Sequence, residues 1–243
     1  TSAINCLNTD TVNITVNPQP VTNAGNNVSI CAGFSSTIGG SPTGPAGSTY
    51  NWSPSTGLNS TTLANPTASP TATTNYTVIV TGVTTCSDTD FVTVTVNPNP
   101  IANAGTDITV CPGVNTTLNG TGGGTYNWSP SGSLSNPNIS NPVASPTTST
   151  TYTLIVTLNT CTDTDFISMT TLPLPAVSAG SDVSMCIGGS TTLSATGTGT
   201  FLWSPSTNLS CTTCSNPAAN PTSTTNYTVT ITDASTCTNT DVV

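Results

Sequence analysis

Cys86-Ser-Asp-Thr-Asp90-Phe-Val-Thr-Val-Thr-Val96-Asn-Pro98-Asn-Pro100-Ile-Ala-Asn-Ala-Gly105-Thr-Asp-Ile-Thr-Val-Cys111 reads as the end of one folding unit, a joint, and the start of the next. Its first half alternates Val92, Val94 and Val96 with Thr93 and Thr95, the period-two signature of a strand with one buried face. Pro98 and Pro100 then fix φ and withhold amide donors, giving a short, stiff, extended joint. Past Ala104-Gly105 the residues Ile108-Thr-Val-Cys111 make a second short strand. The same pattern, 25 residues from cysteine to cysteine, runs from Cys6 to Cys31 and from Cys161 to Cys186. Cysteines equivalent to Cys86 recur at intervals of 80, 75 and 76 residues (Cys6, Cys86, Cys161, Cys237), so the 243-residue chain is a tandem repeat.

Between joints the order of signals is constant. A Gly turn and short strand are followed by Thr116-Thr-Leu or Thr191-Thr-Leu, then by an aromatic strand: Tyr50-Asn-Trp52, Tyr126-Asn-Trp128 and Phe201-Leu-Trp203. Aromatics two residues apart share one strand face, which makes each Trp the expected core plug. Asn65-Pro66 to Thr71 and its counterparts after Asn141 and Asn216 carry prolines that restrict them to edges. Tyr76, Val78 and Val80 then alternate on one face. The expected units are residues 18–97, 98–172 and 173–243, the third with its last strand truncated. Residues 1–17 match the closing strand of a unit. The chain therefore reads as a segment of a longer array, or as one whose N-terminal strand completes a neighbouring copy. Units this small bury only about 60–65% of their unfolded surface, so stability is expected to be shared along the array.

The charges are all Asp: nine of them, with no Lys, Arg, His or Glu and a net charge of −9. Without cations there is no counterion release, which excludes nucleic acid as a partner. Anionic membranes and phosphorylated ligands are excluded alike. No apolar run approaches the roughly 20 residues of a membrane helix, so no membrane insertion is expected. Nine cysteines, with no His to complete most zinc sites, point to disulfides and an oxidising, extracellular setting.

The ordered set Ala-Gly-x-Asp-Val-Ser-x-Cys, Trp-Ser-Pro-Ser-Thr, Asn-Pro-x-Ala-Ser-Pro-Thr, Thr-Tyr-Thr-Val and Cys-x-x-Thr-Asp resembles the immunoglobulin-like, PKD-like repeats of very large secreted adhesins from gliding Bacteroidetes, and it does so three times over. The resemblance implies export to the cell surface or into an extracellular filament. Asp10-Thr11-Val12 is similar to the O-glycosylation motif of that bacterial group, which implies a sugar at Thr11. The absence of Lys, Arg and Glu departs from the family.

Few residues can carry chemistry. No His, Lys or Glu is present to act as a general base, so no catalytic site and no enzyme is expected, and no cofactor. Asp88 with Asp90 and Asp163 with Asp165 sit at i and i+2 on a strand and share a face, a weak calcium candidate. Since Asn8 and Asn239 replace the first Asp elsewhere, the repeating element is Thr-Asp at a strand start. For the cysteines two pairing schemes stand, with reduced thiols as a third reading. One pairs Cys31 with Cys86, Cys111 with Cys161 and Cys186 with Cys237, inside each unit. If the topology is immunoglobulin-like, those partners lie at opposite poles, and Cys31 with Cys161 and Cys111 with Cys237 staple consecutive units instead. Cys211-Thr-Thr-Cys214 has no equivalent in the other units and is expected to close on itself. Outward-facing Ile79 with Phe91 and Ile155 with Phe166 form a possible lateral stripe.

The expected fold is all-β: tandem antiparallel sandwiches of immunoglobulin-like or PKD-like type in a rod. The expected function is structural, a non-catalytic repeat segment of a surface adhesin or extracellular filament. Its partners would be other copies or repeats, and surfaces or polysaccharides. The alternatives are an array of glycan-binding modules, with loops near Trp52, Trp128 or Trp203 as the sites, or a strand-donating subunit of a polymeric fibre.

Overall fold

The computed structural model describes residues 8–243, so Cys6 and the first part of the expected strand 1–17 lie outside the described residues. Residues 8–17 are exposed and belong to no strand. Among the described residues every regular element is a strand, and no helix is long and apolar enough to cross a membrane.

By Cα proximity the chain forms two compact units. The first holds the described residues up to Pro100 together with Leu158–Thr162. Its strands are β1 (Val28–Cys31), β2 (Ser36–Thr37), β3 (Thr49–Ser53), β4 (Thr67–Ala68), β5 (Thr74–Thr81) and β6 (Ser87–Asn97). They make a four-stranded sheet in the order β1-β6-β5-β3 and a two-stranded sheet of β2 with β4. The alternation along β5 buries Tyr76, Val78 and Val80 completely, and the register sets Trp52 of β3 against Val78 and Val92 of β6 against Tyr76. Burying each of these side chains contributes about 1.5–3 kcal/mol. Ala24, Ile38 and Ala68 close the core from the other side.

The second unit holds Ile101–Thr157 and Asp163–Val243 and has two cores. The first core has the same plan: β7 (Ile108–Val110), β8 (Thr116–Thr117), β9 (Thr125–Ser129), β10 (Val143–Ala144), β11 (Thr150–Leu158) and β12 (Cys161–Thr171), with sheets β7-β12-β11-β9 and β8-β10. The second has β13 (Val177–Ser178), β14 (Thr191–Thr192), β15 (Thr196–Gly197), β16 (Thr200–Ser204), β17 (Ala218–Ala219), β18 (Thr228–Thr232) and β19 (Thr238–Val242). Its main sheet has only three strands, in the order β16-β18-β19, beside the pairs β13-β15 and β14-β17.

The fold is an all-β tandem of immunoglobulin-like sandwiches, and two pairings in it depart from antiparallel. β1 runs parallel to β6, with Val28 opposite Val94 and Cys31 opposite Asn97, and β7 runs parallel to β12 in the same way. A first strand that returns along the last one closes the sheet edge with the far half of an 11-residue strand.

Candidate functional site

The residues singled out for chemistry converge on the joints between repeats. In β6, Asp88 and Asp90 have the same parity as Val92 and Val94 and so face inward, opposite Val80 and Val78. There they meet the backbone that runs from the proline joint toward β1. Asp88 Oδ2 accepts the Thr22 amide at 3.2 Å and Asp90 Oδ2 accepts the Ala24 amide at 2.8 Å. Asp163 and Asp165 hold the Ala102 and Ala104 amides at 2.8 Å. Asp241 holds the Ala179 amide at 2.8 Å, while Asn239, in place of the first Asp, donates to the Pro175 carbonyl.

The spacing explains the residue type. Amides at i and i+2 of an extended segment point the same way, and two acceptor-only carboxylates at i and i+2 of a facing strand match them, with charge-assisted strength. The Asp88 carboxyl is held below the ordinary carboxylate value by the Thr89 amide and then the Thr22 amide. Asp241 is lowered by the Ala179 amide and then by Val242. Among the described residues no group of three or more His, Cys, Asp or Glu side chains gathers as a metal site. The second proline of each joint, Pro20, Pro100 and Pro175, is buried beside these clamps.

The sulfurs complete the joints. Cys31, at the end of β1, is bonded to Cys161 with Cα atoms 5.6 Å apart, and Cys111, just past β7, to Cys237 with Cα atoms 5.4 Å apart. Pairing inside a repeat is ruled out by length. Cys86 precedes β6 while Cys31 sits opposite its last residue, so 11 residues of extended strand, roughly 33 Å, separate them. Cys86 and Cys186, expected among the bonded cysteines, are free. Cys211 and Cys214 are bonded to each other within their loop.

One feature of the joints has no explicit counterpart in the composition. The residue before each hairpin cysteine is a threonine in the left-handed region, Thr85 (φ 66°), Thr160 (φ 72°) and Thr236 (φ 67°). A β-branched residue there is a strained outlier, and it recurs where the turn presents its cysteine. The signal was available as Thr-Cys86, Thr-Cys161 and Thr-Cys237.

The tryptophans lie in the cores. Trp52, Trp128 and Trp203 are 1–2% exposed, and their indole N–H groups donate to the carbonyls of Leu63, Ile139 and Cys214, each eleven residues on. Buried, satisfied indoles overturn the expectation of glycan-binding loops centred on them. Thr11 is exposed. Phe91, Phe166, Ile79 and Ile155 are exposed as well.

No protein-family model matches the chain, and no curated protein sequence matches it. Solved structures similar to it include a Glu-to-Ala variant of titin domains I67–I69, at 14% identity and a TM-score of 0.43 over 92% of this chain and 96% of that one. Sidekick-1 immunoglobulin domains 1–5 are similar at 12% identity and 0.39, over 92% and 57%. The complex of Dpr2 Ig1-Ig2 with DIP-Theta Ig1–Ig3 is similar at 12% and 0.36, over 93% and 98%. At these values the strand order, rather than the likeness, defines the fold.

Proposed function

We propose that the chain is a non-catalytic structural segment of an extracellular surface adhesin or filament, of the kind carried by large secreted adhesins of gliding Bacteroidetes. It is built from repeats 18–97, 98–172 and 173–243, and its partners are further copies or repeats and the surfaces or polysaccharides they meet. The observation that carries this reading is the pair of disulfides linking residues 130 and 126 positions apart, each tying a first strand to the hairpin turn of the next repeat. Such links belong to an oxidising compartment. They also serve a chain under tension, because they remove backbone from the path that force must follow. Exposed Thr11 and the hydroxyl-rich faces are where sugars would be attached or met.

Single-molecule stretching of the oxidised and reduced chain tests the mechanical part. With both disulfides in place the shortest path from Cys31 to Cys237 is the stretch between Cys161 and Cys111, so reduction of both should lengthen the fully unfolded molecule by roughly 520 Å. Equal lengths in both states would overturn the reading.

A further inference from the structure

Each tryptophan grips one loop by two of its carbonyls. In the first repeat the Trp52 amide donates to the Thr61 carbonyl at 2.8 Å and its indole N–H to the Leu63 carbonyl at 2.9 Å. Trp128 holds the Pro137 and Ile139 carbonyls in the same way, and Trp203 those of Thr212 and Cys214. The two carbonyls are two residues apart, so both bonds form together only if the chain between them keeps one tight conformation.

What keeps that conformation differs between the repeats. Ser60 Oγ accepts the Thr62 amide at 3.1 Å, and Asn136 Oδ1 accepts the Asn138 amide at 2.9 Å. These are the local turns in which a short polar side chain takes the amide two residues on. The third loop, Cys211-Thr-Thr-Cys214, has the same middle as Ser60-Thr-Thr-Leu63, and both flanking residues are exchanged for cysteine. A bonded sulfur is a poor acceptor, so this loop forgoes the side-chain turn and is closed by the Cys211–Cys214 bond. Two repeats therefore carry a latch that nothing in solution chemistry opens, and the third carries one that a thiol can open.

Accessibility points the same way. Cys211 and Cys214 are both partly exposed in a surface loop. The long disulfides each have a buried member, Cys161 at 1% and Cys237 at 0% exposure. Thiol–disulfide exchange needs a thiolate to reach a sulfur, and only in the short bond can either sulfur be reached.

We infer that Cys211–Cys214 is a redox-operated latch on the loop over the third core, opened by small-molecule thiols while the long disulfides stay closed. One small thiolate attacks a latch sulfur, forms a mixed disulfide and expels the other cysteine as thiolate, which takes up a proton. A second small thiolate then attacks the mixed disulfide and releases the first cysteine as a thiol. Two small thiols are oxidised to one small disulfide, and the protein gains two thiols. With neither bond nor side-chain turn, the stretch Thr212–Cys214 no longer presents both carbonyls to Trp203 at once. The loop thus has two states selected by the thiol balance outside, a property independent of the mechanical reading above.

The test titrates the full chain with glutathione redox buffers of increasing reducing strength and follows each cysteine by differential alkylation. Cys211 and Cys214 should become alkylated at ratios that leave Cys31–Cys161 and Cys111–Cys237 intact. Over the same step, amide exchange at Thr213 and Cys214 should rise at least tenfold while that at Thr62 and Asn138 stays constant. Two variants separate the latch from the mere presence of cysteine. C211S with C214L gives the loop the flanks of the first repeat and should exchange slowly at every buffer ratio. C211A with C214L removes both bond and side-chain turn and should exchange at least tenfold faster at every ratio. Long disulfides that open before or together with Cys211–Cys214 overturn the inference. So does exchange at Thr213 and Cys214 that ignores the opening of the bond, or equal exchange in the Ser and Ala variants.

Discussion

β1, Val28-Ser-Ile-Cys31, is a strand, whereas Val183-Ser-Met-Cys186 is not, although the two share three of four residues and the same preceding Ala-Gly turn. The difference lies outside both segments. β1 has Val94–Asn97 beside it, and among the described residues no strand pairs with Val183–Cys186. Strand propensity at a sheet edge is thus conditional on the neighbour, as expected when the contribution of a β residue comes from cross-strand packing more than from its backbone preference. The first repeat also has its cysteine bonded, and the third does not.

Breaking the covalent half of this contrast should have the largest effect. C31S opens a loop of 130 residues, which costs up to about 5 kcal/mol by chain entropy, read as a lower denaturation midpoint of the oxidised protein. C186S should leave the midpoint in place, since Cys186 is free and exposed. The packing half comes next. Val94→Asp puts a carboxylate into a fully buried position and should cost about 3 kcal/mol or more, and amide exchange at residues 28–31 should rise to the rate found at 183–186. Val183→Asp, at a half-exposed site, should stay within about 0.5 kcal/mol.

A smaller effect is expected from the loops that cap the tryptophans. Cys211 and Cys214 occupy the positions of Ser60 and Leu63, and in all three repeats the indole reaches the same carbonyl. Since two loops manage without a bond, C211S with C214S should cost no more than about 2 kcal/mol, the entropy of so short a loop, measured by thermal denaturation. The smallest effect is electrostatic. Asp88 and Asp241 are lowered in the folded chain, so their stabilisation is complete above the ordinary carboxylate value near pH 4 and is lost as pH falls through the folded values. With no His, the thermal midpoint should be level from about pH 5 to 7 and fall below that range. D241N should shrink the fall, leaving the Asp88 share.

Much of each repeat was legible because side-chain alternation reports which face is buried. Tyr76, Val78, Val80, Val92 and the three tryptophans all lie where the period of two puts them. The same alternation is silent about which backbone lies alongside. The parallel return of β1 along β6, the bonded cysteine pairs and the clamps on Thr22, Ala24 and Ala179 all depend on that. Asp88 and Asp90 suggested calcium because paired carboxylates look alike whether they face an ion or two amides. The residues that decide between the two are those of the passing segment, roughly 65 positions earlier in the chain, and they contribute only main-chain N–H groups that no side-chain pattern records.

The two long disulfides interleave: Cys111 lies inside the span of the first, and Cys161 inside the span of the second. A backbone cut anywhere between Cys31 and Cys237 therefore leaves every piece attached to the rest. A protease has to cut twice, in suitably placed segments, before the molecule parts, so damage to one repeat is tolerated as a broken thread is in overlapped stitching.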